Sequence, residues 1–217
     1  SMLDSTASFR LVAHLADLAR AVTAVIVCEH RAEYLRAIPD LRTVWLNGDT
    51  PSPPAPSSDV PSYGAPPARG PSFILSVSEL SVNLGGRPVL HDLSFSAESG
   101  QVLAIVGRNG VGKTTLLRAL AGLQGYRGQI TVGGERPGLG MIFQNPEHQL
   151  FNPTVRDEIL YRLENPDLDR YAWLTAMLGL SRYDETPPLL LREGEKKRLA
   201  LATTLMRAPR HGVLLDE

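Results

Sequence analysis

An α/β fold on a largely parallel sheet is predicted by three observations on this chain of 217 residues. Apolar, strand-like runs alternate with helix-like stretches from Ile74 to Asp216. A glycine-rich run, Gly107 to Thr114, stands between one such strand and one such helix. The length suits one domain, or one domain with a tail, rather than two full ones.

The elements follow in order. Phe9, Val12, Leu15, Leu18 and Ala19 recur with helical spacing, and Asp4 or Ser5 stands where a cap is needed, so a helix is expected over about residues 6–20. Thr23 to Cys28 is rich in β-branched residues without alternation, as in a strand covered on both faces. Arg31 to Ala37 reads as helix, and Thr43 to Leu46 as a strand before the Asn47-Gly48 turn. Eight of the 17 prolines fall between Pro51 and Pro71, among Ser, Gly and Ala, with no hydrophobic period; residues 51–72 are a linker. Beyond it, strands are expected at Ile74–Val77 and Leu80–Val82, after a Gly85-Gly86 turn up to about Phe95, at Gln101–Val106, at Gln129–Val132 and at Gly212–Asp216. Helices are expected at 113–121, 154–163, 168–178 and 194–207.

Composition narrows the classes. With 43% hydrophobic and 21% charged residues the chain is globular, and a net charge of −1 gives no basic footprint for nucleic acid. One cysteine, Cys28, cannot form an internal disulfide or a Cys-rich zinc site, and its apolar neighbours place it in the core. No apolar run reaches the roughly 18–20 residues that span a bilayer. The basic run Lys196, Lys197, Arg198 reads as a solvated helix face.

Gly107-Arg108-Asn109-Gly110-Val111-Gly112-Lys113-Thr114 fits Gly-x4-Gly-Lys-Ser/Thr. Phosphate oxygens need several donors at short range. Glycines let the backbone turn its N–H groups inward, and the helix start adds its positive dipole. Gly107, Asn109, Gly110, Gly112, Lys113, Thr114 and Thr115 are therefore candidate phosphate-binding residues, with Lys113 on the β- and γ-phosphates and the Thr114 hydroxyl on Mg²⁺. Asp216, ending an apolar strand, is the matching Mg²⁺ carboxylate, and Glu217 is placed to activate the attacking water.

These residues together resemble the nucleotide-binding domain of ATP-binding cassette (ABC) transporters, which implies a P-loop NTPase fold of ABC ATPase type: a mixed sheet flanked by helices, an antiparallel β subdomain and a helical subdomain. Phe143-Gln144-Asn145-Pro146 resembles the family's glutamine loop, which implies that Gln144 contacts the metal and the nucleophilic water. The run Gln144 to Phe151, followed by Thr154 to Ile159, is similar to the ATPases of energy-coupling factor and cobalt-type importers. Leu191 to Ala200 occupies the place of the signature, normally Leu-Ser-Gly-Gly-Gln, but Arg192 replaces the serine and Glu193 brings a negative charge toward a triphosphate. Leu84 lies where the family usually places an aromatic against adenine. Ser1-Met2-Leu3-Asp4 resembles the loop that follows the catalytic Glu, and His30, after the Val25–Cys28 strand, resembles the switch histidine that contacts γ-phosphate.

The resemblance thus divides the chain into residues 1–50, the C-terminal part of a cassette; 51–72, the linker; and 73–217, the N-terminal part of a cassette. The order is permuted. Two arrangements are open: the tail of a first cassette and the head of a second, or two pieces closing into one cassette. The activity implied is Mg-ATP hydrolysis energising a membrane importer of a vitamin or metal ion, with a second cassette, a transmembrane subunit and a separate substrate-binding membrane component as partners, on the cytoplasmic face of the membrane. The alternatives are a regulatory cassette that binds nucleotide without hydrolysing it, and an ABC-type ATPase outside transport.

Overall fold

The computed structural model describes residues 24–29, 41–46 and 72–216. The helices expected at 6–20 and 31–37, the linker proper, His30 and Glu217 lie outside the described residues. The strands are β1 (Ala24–Glu29), β2 (Arg42–Trp45), β3 (Ile74–Leu84), β4 (Arg87–Glu98), β5 (Val102–Val106), β6 (Arg127–Val132), β7 (Leu139–Ile142) and β8 (Gly212–Asp216). The helices are α1 (Lys113–Leu120), α2 (Val155–Leu160), α3 (Leu168–Met177) and α4 (Glu193–Met206). The chain divides into two compact units, residues 142–209 forming the second and the rest the first.

The first unit carries a five-stranded sheet in the order β2-β5-β1-β8-β7. β1 runs parallel to both β5 and β8, and β2 runs parallel to β5. Every residue of β5 and β8 is buried, as are Ala24 to Cys28 of β1, which explains why these runs are apolar without alternation. Cys28 is a core residue, as the sequence suggests. Helix α1 leaves the sheet directly after β5 and buries Leu116, Leu117, Ala119 and Leu120.

A second, antiparallel sheet has the order β4-β3-β6. The sequence predicts two strands, at Ile74–Val77 and Leu80–Val82; the structure has one, β3, with an irregular register between Val77 and Leu80. The buried residues change phase there, from Leu75 and Val77 to Leu80 and Val82. An extra residue flips which face the next side chain meets, and this slip makes one strand look like two. Glu79 takes φ 52° at the bulge, and its N–H donates to Ser94 Oγ at 2.9 Å. Opposite it, Gly128 has φ 95°, and a Cβ there would lie 2.4 Å from the Glu79 carbonyl oxygen. Gly128→Ala is therefore expected to cost about 1–2 kcal/mol, by positive φ and by pushing the bulge away, read as a lowered melting temperature.

The second unit is helical. Leu174, Leu178, Leu180, Leu199 and Ile159 are fully buried in it, and Tyr171 donates its hydroxyl to Asp184 Oδ1 at 2.7 Å. No helix among the described residues is long and apolar enough to cross a membrane.

Candidate functional site

The loop joining β5 to α1 is shaped by where its glycines fall. Gly112 has φ 107°, a conformation that lets the chain turn from loop into helix at Lys113, and a Cβ there would meet Leu90 Cδ2 at 2.9 Å. The Lys113 side chain folds back into the loop it follows. Its Nζ donates to the Gly107 carbonyl at 2.9 Å and to that of Arg108 at 3.4 Å, and the residue is only 6% exposed. A cation is thus held in the concavity of the loop, beside the N-terminus of α1, where backbone N–H groups and the helix dipole favour anions. Asn109 and Gly110 form the exposed rim, and Thr114 and Thr115 are partly exposed in the first turn of α1.

Thr114 Oγ1 donates to Asp216 Oδ1 at 2.9 Å, although the two residues are 102 apart in sequence. This contact joins the helix start after β5 to the end of β8. Asp216 is buried at 5% exposure. A hydroxyl and one carboxylate beside a phosphate-binding loop form a hard-oxygen donor set of the kind Mg²⁺ uses, with substrate phosphates and water completing the shell. Among the described residues no group of three or more His, Cys, Asp and Glu could hold a metal.

Gln144 and the Leu191–Ala200 run fall in the second unit. Gln144 is exposed, in a loop that closes on itself: Phe143 N–H donates to Gln149 Oε1 at 3.0 Å, and Glu147 N–H to Asn145 Oδ1 at 3.0 Å. Farther along, three donors converge on Glu158 Oε2: Phe151 N–H at 2.9 Å, Asn152 N–H at 2.7 Å and Asn152 Nδ2 at 3.0 Å. Glu158 is 1% exposed. Lys196, which the sequence places on a solvated face, instead forms an ion pair with Glu147 and ties α4 to the loop. Burial of its stem leaves its side chain only 12% exposed.

Helix α4 starts at Glu193, with Arg192 as its N-cap. Glu195 Oε2 accepts the Arg192 N–H at 2.9 Å, and Glu195 Oε1 accepts the Tyr183 hydroxyl at 2.6 Å. Sequence reading misses this carboxylate; the signal is its place three residues after the N-cap, as in a capping box. The Tyr183 hydroxyl first, and then the Arg192 amide, hold the Glu195 carboxyl below its ordinary value of 4.5, against the opposing effect of burial. A depressed carboxylate stabilises the fold above the ordinary value, and that contribution is lost as pH falls through the lower one. The expected result is a melting temperature that falls as pH is lowered from 6 toward 3, by less in Glu195→Gln, measured by circular dichroism.

Comparison with known proteins agrees with this geometry. The family model described as "ABC transporter" matches residues 90–217. The energy-coupling factor transporter ATP-binding protein of Thermotoga maritima is 36% identical over 156 residues, covering 66% of this chain and 60% of its own. The putative HMP/thiamine import ATP-binding protein of Bacillus subtilis is 36% identical over 177 residues, covering 76% of this chain and 32% of its own. The chain therefore spans less than two thirds of the length of these relatives. Among solved structures, cbiO1 from Clostridium perfringens, part of the ABC transporter complex cbiONQ, superposes with a TM-score of 0.57 at 21% identity, covering 67% of this chain and 78% of that one, which bears on fold alone. A glycine-rich loop opening a helix, a Thr114–Asp216 hydrogen bond beside it, a second antiparallel sheet and a helical unit accompany a family match over most of the chain, and the chain belongs to the ABC transporter family.

Proposed function

We propose that this chain binds Mg-ATP and hydrolyses it as the ATP-binding part of a membrane importer. The observation that carries the reading is the Thr114–Asp216 contact beside the loop that holds Lys113. In this reading the amides of Gly107, Asn109, Gly110, Gly112, Lys113, Thr114 and Thr115 hold the phosphates, and the Lys113 ammonium leaves the loop carbonyls for the β- and γ-oxygens. Thr114 and Asp216 would hold Mg²⁺, to which the resemblance adds Gln144, and the ion would supply charge neutralisation on the phosphates when bound. Glu217 orients the water, with Gln144 and His30 contacting the γ-phosphate region. Phosphoryl transfer needs positioning and charge more than covalent chemistry, and these side chains supply both.

The names of the relatives, an energy-coupling factor transporter ATP-binding protein and a putative HMP/thiamine import ATP-binding protein, support an importer; a vitamin or metal ion as cargo, transmembrane and substrate-binding membrane components and a second cassette are what the family resemblance adds to this reading. The same resemblance places the work at the cytoplasmic face of the membrane. Residues 1–50 are then the C-terminal part of a cassette and residues 73–217 the N-terminal part of one, in permuted order and joined by 51–72, either as the tail of a first cassette and the head of a second or as two pieces of one.

A second reading is binding without hydrolysis. It is favoured by the start of α4, where Glu193 and the Glu195 carboxylate stand and the N-cap amide is already satisfied by Glu195, leaving little to attract a phosphate. Thermal unfolding with and without Mg-ATP tests the shared part: at about 100 times Kd a stabilisation of about 2.7 kcal/mol, several degrees, is expected. No shift would sink both readings. A shift without phosphate release would leave the second.

A further inference from the structure

Helix α1 closes on its own amides. Ala121 is the C-cap and Gly122 follows at φ 73°, its N–H donating to the Ala119 carbonyl at 3.0 Å, while the Leu123 N–H donates to that of Arg118 at 2.8 Å. In such a closure the residue after the glycine frequently packs its apolar side chain back on the helix. Leu123 is instead 61% exposed. It stands in the wall of a cavity of about 620 Å³, with Tyr126, Ile130, Thr131 and Arg136 around it. The cavity lies wholly within the first unit, at the far end of α1 from the glycine-rich loop. Its volume falls in the range of about 300–1,000 Å³ in which small molecules are held.

The wall has a definite chemistry. Arg136 is the one charged residue in it among the described residues. Its guanidinium lies over Gly122: a Cβ there would meet Nη2 at 2.7 Å and Cζ at 3.2 Å, so a side chain at that position would push the guanidinium aside. Among the described residues Arg136 makes no ion pair and no hydrogen bond, and the carbonyls of Arg118 and Ala119 are already taken by the helix closure. The hydroxyls of Tyr126 and Thr131 are likewise without a protein partner among the described residues, and the Gly125 and Tyr126 N–H groups donate to no backbone carbonyl there. Donors thus gather on one side of the cavity, and exposed Leu123 with buried Ile130 supplies an apolar shelf.

A planar, always charged fork with unpaired hydroxyls and amides beside an apolar shelf suits an anion that carries an apolar body. The single cation then decides which anion. A carboxylate matches both the fork and its one charge, whereas a phosphate monoester brings about 1.5–2 negative charges and leaves part of them unmatched. The negative end of the α1 dipole, roughly half a charge, weighs further against a dianion.

We propose that this cavity is a binding site for a small organic monocarboxylate, with the carboxylate on the Arg136 guanidinium and the apolar body on Leu123 and Ile130. The site goes beyond the Mg-ATP reading and does not depend on it.

The test titrates the full chain, isotope-labelled for nuclear magnetic resonance, with cinnamate and separately with its neutral amide, cinnamamide, following backbone amide shifts. Cinnamate is expected to shift residues 122–136 with a Kd of about 1–5 mM, as suits an open site and a ligand of this size, and cinnamamide to bind at least about fivefold more weakly. Arg136→Gln is expected to weaken cinnamate by at least about fivefold with the melting temperature close to the parent's, and Leu123→Ser to weaken both probes. Lys113→Ala should leave these shifts unchanged, which separates the cavity from an anion taken up by the glycine-rich loop. No shift at residues 122–136 up to about 20 mM cinnamate would overturn the proposal. So would equal affinity for acid and amide, equal affinity in Arg136→Gln, or shifts confined to residues 107–115 and lost in Lys113→Ala. If Arg136→Gln unfolds, the comparison of acid with amide on the unaltered chain still decides.

Discussion

Lys113→Ala is expected to abolish Mg-ATP binding at concentrations where the parent is saturated, with affinity at least about 100-fold weaker and turnover lost with it. The ammonium is the charged donor inside the loop, already held 2.9 Å from the Gly107 carbonyl in a position only 6% exposed. A triphosphate brings several negative charges to that point. A charge-assisted hydrogen bond there is worth about 1.5–3 kcal/mol, and the remaining attraction in a partly dry site raises the loss to about 3 kcal/mol, or about 100-fold. Without nucleotide the substitution is expected to change the melting temperature little, because the loop carbonyls it frees lie near solvent. Isothermal titration and phosphate release measure the two parts. Asp216→Asn should behave differently: the hydrogen bond to Thr114 survives, the charge is lost, and the Mg²⁺ concentration needed for half-maximal binding rises about tenfold while the nucleotide still binds weakly. Equal affinity in parent and Lys113→Ala would remove the loop from the nucleotide site.

The difference between these two residues also shows what was legible in the sequence. The loop could be read because its chemistry is local: glycines, a lysine and a hydroxyl at fixed spacing, between a strand and a helix. The Thr114–Asp216 contact could be inferred only because an apolar strand ending in an acid has a known use beside such a loop. Which strands flank β5 could not be read, since parallel pairing between distant segments leaves no periodic mark, and both arrangements of the N-terminal piece stayed open. β7 was missed because Gly138 and Gly140 make Leu139–Ile142 look like a turn, whereas the strand is held as a neighbour of β8. His211 helps to fix it there: its Nδ1 accepts the Gly138 N–H at 2.9 Å, and its own N–H donates to the Gly138 carbonyl at 2.9 Å. Helices α2 and α3 were placed correctly but end sooner than predicted, at Leu160 and Met177, because the apolar period continues past the point where the backbone turns. Acids were the least legible. On a helix, Glu158 and Glu195 look like any solvated charge, and only the donors converging on them distinguish them.

Glu158→Ala is expected to destabilise the second unit by about 3 kcal/mol, the largest effect on stability among the substitutions considered. The carboxylate is 1% exposed, and one of its oxygens accepts from two consecutive backbone amides and from the Asn152 side chain. Alanine leaves those donors without an acceptor in a position water reaches poorly. A buried donor stripped of its partner costs about 1–3 kcal/mol, and three such donors add less than threefold because the segment 151–152 can move toward solvent. Glu158→Gln keeps an acceptor oxygen but presents an amide to the same cluster and should lose about half as much. The helix itself should persist, since Thr154 caps it independently by accepting the Asp157 N–H at 3.0 Å. Urea unfolding followed by far-ultraviolet circular dichroism separates these outcomes. If Glu158→Ala costs less than about 1 kcal/mol, the three donors are reached by water and the acid is not what fixes the segment 151–152. If the loss is as large as expected, Glu158 is what fixes residues 151 and 152, which follow the loop that presents Gln144; on the proposed reading in which Gln144 takes part, the variant should also bind Mg-ATP more weakly at temperatures where the fold is still intact.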